Sequence, residues 1–417
     1  MKEHTLPRRI AALCAVSVVA VLGIAGCSSD GDDSGGVDSS VLGAENKATG
    51  EPLTIGFISE GKAAAYDNTN EIKGAQTAAS YINDHLGGIN GRPVTLKVCE
   101  ARGNPADATD CANQMVQAGV PVVVEGALGT VDQTVDVLSK AKIPLVLHFT
   151  SSPKTMQTPG VFGLMNGMAS IFGAPAYVAK QNNVKSAAIV TIDVPAAVAG
   201  TAQLGKLTFG NAGAKAEVVT IPPGSPDPSP QIAAAAKANP GLYSILGTPD
   251  FCAPVIKAVR ASSPEAQIVA IDRCILASAA KAIPGGYKGV KVGTTSNLDK
   301  STEDVKLLAA ALDKYNKGTP IESNSAYGWS PVLALARALN ASNATLTPQG
   351  VTDGLRSAPP QEYPLTNGIK FQCDGKAFPL SPNICSAAGI VATADEDGKL
   401  SDYQIVDDAT LFKMPPR

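Results

Sequence analysis

The feature that most constrains this chain is a pattern that occurs twice in succession: short apolar runs separated by segments of helical periodicity. Such runs, bounded by turn residues, read as strands buried on both faces, and their alternation with helices is the mark of βαβ units and a parallel sheet. The first series predicts strands near Leu53–Ser59, Val94–Cys99, Val120–Glu125 and Ile143–Phe149, with helices near Asn68–His85, Pro105–Gln117 and Val131–Lys140. In the first of these helices Ile72, Ala75, Ala79 and Ile82 share a face, and Gly87-Gly88 ends it with residues that tolerate positive φ. A second series predicts strands near Ser186–Asp193, Ala216–Ile221, Tyr243–Gly247, Gln267–Asp272 and Gly289–Thr294. Because 417 residues exceed what one hydrophobic core organises, two doubly wound α/β lobes are expected, separated at Gly167–Pro175.

Beyond Thr295 the periodicity predicts helices near Ser301–Lys317, Asn324–Leu339 and Pro348–Ser357, then strand-like pieces around Ile369–Gln372, Ala388–Ala392 and Tyr403–Val406. This tail lacks a core of its own and is expected to recross between the lobes. The resulting division assigns 52–168 with 297–362 to the first lobe, and 169–296 with 363–417 to the second.

Residues 1–26 read as an export signal, with Lys2, Arg8 and Arg9 ahead of an apolar run from Ile10 to Ala25. The run is shorter than the roughly 20 apolar residues of a spanning helix. Ile24-Ala25-Gly26-Cys27 resembles the lipobox of bacterial lipoproteins, in which the cysteine carries a diacylglycerol. That resemblance implies an exported protein held on the outer face of the cytoplasmic membrane through lipid on Cys27; the alternative is an ordinary secretory signal with a chance cysteine. Residues 27–51, rich in Ser, Gly and Asp, are expected to form a disordered tether. A formal net charge of −3 and 5% aromatic residues argue against a nucleic-acid partner.

Of eight cysteines, Cys14 leaves with the signal and Cys27 would carry lipid. The remaining six allow 15 connectivities, of which neighbour pairing is the simplest: Cys99 with Cys111, Cys252 with Cys274, and Cys373 with Cys385. Structural zinc is the rival reading, but the spacings are not those of zinc sites and only His85 and His148 remain after the signal. No metal or cofactor is expected.

The order of several short motifs resembles the type I periplasmic binding proteins of ABC importers, in particular the branched-chain amino-acid binding group. They include Ile55-Gly56-Phe57-Ile58, the loop ending in Tyr66, Gly87-Gly88-Ile89-Asn90-Gly91-Arg92, Asn104-Pro105, the Gly126 loop, Ile143-Pro144, Ala326-Tyr327 and the turn from Phe371 to Gly375. The resemblance spans most of the chain after the signal. It implies two Rossmann-like lobes with parallel-rich sheets joined by three crossovers, a ligand held in the cleft between them, and an ABC permease as partner to a monomeric binder. Helix N-termini at the carboxyl ends of such strands offer unpaired N–H groups to an anion.

By the same resemblance, the ligand's carboxylate and ammonium fall to the loop Ala127-Leu128-Gly129-Thr130 and to Phe149-Thr150-Ser151-Ser152. Leu128, Gly129, Thr130, Phe149, Thr150 and Ser151 are therefore candidate ligand-binding residues, with helix capping as the alternative role for the hydroxyls. Tyr66 aligns with a cleft tyrosine, and Asp272 with the second-lobe carboxylate that neutralises the ammonium; a salt bridge to Arg273 is its alternative role. The aromatic that often follows the Asp193 position is replaced by Val194-Pro195-Ala196, leaving Tyr243, Phe251 or Trp329 as substitutes, with core packing the expected role of Trp329. An amino acid is the expected guest, with amides, urea-like molecules and small aromatic carboxylates as alternatives. A lipid-anchored α/β enzyme is the rival from another class, but the chain lacks Gly-x-Ser-x-Gly, Walker and HExxH motifs. His148, at a strand end near the cleft, is expected to be a polar lining residue.

Overall fold

The computed structural model describes residues 38–415 except 64–66 and 151. The signal, the lipobox and Cys27 lie outside the described residues. So do Tyr66 and Ser151.

The first sheet contains β1 (Leu53–Ser59), β2 (Val94–Glu100), β3 (Val123–Glu125), β4 (Leu145–Phe149) and β5 (Val161–Met165) in the order β2-β1-β3-β4-β5, all parallel. The second contains β6 (Ser186–Ile192), β7 (Lys215–Ile221), β8 (Leu242–Leu246), β9 (Gln267–Ile271) and β10 (Lys291–Thr294). After a small ribbon of β11 (Gln361–Glu362) and β12 (Lys370–Phe371), β13 (Gly389–Ala394) and β14 (Leu400–Val406) complete it as antiparallel strands. Its order is β14-β13-β10-β9-β8-β6-β7. In each sheet the direction of winding reverses beside the first strand of the series, between β1 and β3 and between β6 and β8. A crevice at the carboxyl ends of the strands opens at such a reversal.

Apolar residues alternate between the two faces of β3, which explains its burial on both sides. Val122 and Val124 face a core shared with the helices Thr69–His85 and Ser323–Ser342, while Val123 faces the helices Pro105–Gln117 and Val131–Lys140. The first two helices cross closely because glycines meet backbone: a Cβ on Gly74 would overlap Ser325 O, and one on Gly328 would overlap Glu71 O. Trp329, 1% exposed, packs against Tyr81 in this core, the role expected for it.

Three expectations are corrected. The tether does not extend to residue 51, because residues 38–50 dock on the first lobe. Leu42 is buried there, and Asn46 and Ala48 donate their amides to Asp84 O at 2.7 Å and Asn83 O at 2.8 Å. A single buried leucine and the unpaired carbonyls at the end of the helix Thr69–His85 supply the partners that composition alone did not reveal. The separation expected at Gly167–Pro175 is instead largely helical, a π turn at Ala169–Gly173 running into the helix Ala174–Gln181, and the preceding strand β5 was not anticipated.

The last recrossing also comes later than residue 363. Tyr363, Leu365, Phe371, Cys373 and Cys385 bury themselves in the first lobe's core, and the chain joins the second sheet only at β13. Cys385 N donates to Gly163 O, and Gly163 N to Asn383 O, both at 2.8 Å, so this segment covers the edge of β5. An uncovered edge would expose unpaired backbone groups.

The six remaining cysteines form Cys99–Cys111, Cys252–Cys274 and Cys373–Cys385. In the chain-entropy view, loops of this length stabilise by roughly 3 kcal/mol each.

Candidate cleft between the two sheets

A cavity of about 510 Å³ lies at the carboxyl ends of both sets of strands. The loops after β3 and β4 line it from the first lobe, and the ends of β8, β9 and β10 from the second. Leu128, Gly129, Phe149, Thr150 and Asp272 are all brought to this cavity. Thr130 is the N-cap of the helix Val131–Lys140 but accepts no capping hydrogen bond, and its buried hydroxyl, just outside the lining, has no partner among the described residues.

The loop after β3 is held by acidic side chains. Glu71 accepts the Ala127 amide at 2.7 Å and the Ser59 hydroxyl, while Glu60 accepts the Gly129 amide at 2.8 Å. A Cβ at position 126 would overlap the Glu71 carboxylate, so only glycine lets the loop approach so closely. Two amides of this loop are therefore already engaged. Burial pushes Glu71 up to about 7.

Glu125, at the end of β3, is fully buried and lines the cavity. Among the described residues neither of its carboxylate oxygens has a hydrogen-bond partner; the nearby Thr134 hydroxyl is spent on Val131 O at 2.7 Å. Burial pushes Glu125 up to about 8, and the charge of Glu71 adds to the shift.

In the loop after β4, Thr150 is 1% exposed, and its hydroxyl has no partner among the described residues. Ser152 does the capping: its Oγ accepts from Thr155 N at 3.1 Å and donates to Asp132 at 2.6 Å. His148 is not a lining residue, contrary to expectation. Its Nδ1 lies 2.6 Å from the Tyr363 hydroxyl and its Nε2 2.8 Å from the Thr295 hydroxyl, so it ties β4 to the crossover that follows β10 and to the first-lobe segment that carries Tyr363. Burial holds it down to about 3, which keeps it neutral.

Asp272 follows β9 and is half-buried. It accepts from the Tyr327 hydroxyl at 2.8 Å, the Thr294 hydroxyl at 3.1 Å and the Arg273 amide at 2.8 Å. Burial raises its pKa, against these hydrogen bonds and the positive charge of Arg273. Among the described residues no ion pair joins the Asp272 and Arg273 side chains within bonding distance. The disulfide Cys252–Cys274 fastens the turn that carries Asp272 to the helix Pro249–Ser262.

Aromatic contact to the cavity comes from Phe149 and Tyr327, whose rings meet edge to face at 6.2 Å. Tyr243, Phe251 and Trp329 are buried in the cores. The sequence reading passed over Glu125, Thr294 and Tyr327. A signal existed for Glu125: it ends an otherwise apolar run, as Asp272 does, and an acid at the tip of a buried strand points toward the crevice region.

The profile of a family described as periplasmic binding protein matches residues 52–379. A Leu/Ile/Val-binding protein of Rhizobium johnstonii is 34% identical over 188 residues, which are 42% of this chain and 49% of that protein. The chain spans half or less of the length of the curated relatives it matches. An ABC transporter substrate-binding protein from Sphaerobacter thermophilus superposes with a TM-score of 0.70 at 17% identity, covering 87% of this chain and all of that one. A branched-chain amino acid transporter substrate-binding protein from Streptococcus pneumoniae, solved with isoleucine, gives 0.64 at 20% identity, covering 86% and 100%. These two likenesses concern the fold.

Proposed function

The chain belongs to the periplasmic binding protein family, and from that premise we propose that it is the extracytoplasmic solute-binding component of an ABC importer, holding a small polar guest of the amino-acid class in the cleft. The observation that carries the reading is the cavity at the carboxyl ends of both sheets, bounded by Thr150 from one lobe and Asp272 from the other. A guest touching both sides favours the closed arrangement by its differential contacts, and the permease would recognise that arrangement. In this reading Thr150, Leu128, Gly129 and Phe149 contact the guest, and Tyr66, Thr130 and Ser151 are further candidates on sequence grounds. Asp272 offers its carboxylate to a cationic nitrogen. The guest leaves with its covalent bonds unchanged.

Its likeness to Leu/Ile/Val-binding proteins favours an amino acid. The acidic lining favours a second reading, a guest bearing an amide. Attachment to the membrane through lipid on Cys27, after removal of residues 1–26, is part of the same proposal and rests on the sequence alone. The test is a melting-temperature screen of the chain from residue 28 onward against amino acids, amides and small aromatic carboxylates. A specific binder raises the melting temperature by mass action. A screen in which no compound does so contradicts the proposal.

A further inference from the structure

Building on the reading of the cleft as a guest site, we infer that Glu125 contacts the guest, and that the first-lobe side of the cavity receives a hydrogen-bond-donating nitrogen where a carboxylate was expected.

Two independent observations carry this. The first is that two amides of the loop are already engaged by acids: those of Ala127 and Gly129 point to Glu71 and Glu60. A ligand carboxylate placed there would displace one of these acids or stand beside both. Among the described lining residues Glu125, Asp132 and Asp272 are acidic and Arg273 alone is basic, and Arg273 sits on the second lobe. The field on the first-lobe side therefore favours a donor over an anion.

The second observation is Glu125 itself. It shares its face of the sheet with its register partners Ile58 and Leu147, and Leu147 and Val131 line the same part of the cavity. The groups packed around it are apolar, apart from Thr134, whose proton is committed elsewhere, and Glu71, an acid. Buried polar groups ordinarily find a partner, and one left without in a cavity marks a place where a ligand supplies it. In either ionisation state Glu125 accepts an N–H, and as the neutral acid it also donates to an amide carbonyl. A site built to hydrogen-bond a ligand group rejects the analogue that lacks it far more strongly than an apolar pocket rejects a missing methylene.

The test uses acetamide and acetate, a pair matched in size that differ in carrying N–H donors or a negative charge. Their binding is followed by NMR through the amide resonances of Gly126 and Leu128 in the wild-type chain, Glu125→Gln and Glu125→Leu. The expected result is a saturable shift with acetamide in wild type and Glu125→Gln, at least tenfold weaker affinity in Glu125→Leu, and no comparable response to acetate in wild type. Should Glu125→Leu not fold, Glu125→Gln still decides the matter at pH 9, where the wild-type carboxyl is ionised, since removing the charge there is expected to relax the discrimination against acetate. Acetate binding this loop as well as acetamide, acetamide binding Glu125→Leu unchanged, or no response to either probe overturns the inference. Because the probes do not depend on the identity of the natural guest, this failure is distinct from failure of the amino-acid reading, which the melting-temperature screen decides.

Discussion

The phenol of Tyr327, on a helix packed into the first lobe, donates to the carboxylate of Asp272, at the tip of a strand in the second lobe, across 2.8 Å. This hydrogen bond joins the two lobes at the wall of the cleft. Burial, and after it the Asp272 charge, hold the Tyr327 hydroxyl well above the ordinary tyrosine range, so it remains a donor throughout the physiological interval. Tyr327→Phe removes the proton and leaves Asp272 with Thr294 and the Arg273 amide. Hydrogen bonds to charged groups contribute about 1.5–3 kcal/mol. The expected outcome is a loss of that order in the stability of the closed arrangement without guest, read by small-angle scattering as a larger radius of gyration. An unchanged scattering profile contradicts it.

Asp272→Ala is expected to weaken binding of whichever amino acid the screen identifies by at least tenfold, since a cationic nitrogen then enters the cleft without its counter-charge. Isothermal titration calorimetry measures it. Affinity within twofold of wild type would remove Asp272 from the binding site.

Glu71 and Glu125 predict the pH dependence of stability. Both have native pKa values raised above those of the unfolded chain, to about 7 and about 8. Between the unfolded value and these, the native state holds more protons than the unfolded one, so stability falls as pH rises and the loss is complete above the native values. His148, lowered to about 3, acts in the opposite direction, but only below about 6.5. The shift of Asp272 has the same sign as those of the two glutamates. Between pH 6.5 and 8 the glutamates dominate, and the wild-type melting temperature is expected to decline. Glu125→Gln flattens this decline and raises the melting temperature at pH 8. A wild-type melting temperature that rises across this window refutes the assignment.

His148→Ala strands the hydroxyls of Tyr363 and Thr295 in a buried place and opens a cavity beside the crossovers. Each unsatisfied buried group costs roughly 1–3 kcal/mol, so a total loss on the order of 3 kcal/mol is expected in urea denaturation. A loss below about 1 kcal/mol would mean that His148 does not hold the Thr295 and Tyr363 segments to β4.

Leu42→Ala tests the docking of residues 38–50. Truncating a buried leucine costs about 2–5 kcal/mol, whereas the same change in a free tether costs nothing measurable. Urea denaturation separates the two outcomes.

The βα alternation made much of the fold legible, because strands buried on both faces must be apolar throughout and helices must carry an apolar stripe. The helices Pro105–Gln117 and Val131–Lys140 begin and end where periodicity places them, and Asn104 caps the first. What escaped was determined by tertiary context. β5 is a five-residue run interrupted by Gly163, and its edge is covered by a segment more than 200 residues later in the chain. Residues 38–50 read as solvent-loving because the leucine that anchors them is outnumbered by polar neighbours. In the cleft, Asp272 was legible as an acid ending an apolar strand. Its engagement by Tyr327 was not, since that depends on how two lobes meet. Glu125 carried the same local signal as Asp272, but its missing partner is a property of the folded surroundings.

The central claim is that the two lobes hold an unaltered guest between their strand tips. A crystal structure of the chain from residue 28 onward, grown with the compound that most raises its melting temperature, tests this most directly. The account predicts that compound intact in the cavity, in contact with Thr150 of one lobe and Asp272 of the other. A guest bound outside the cavity, or recovered there as a reaction product, contradicts it.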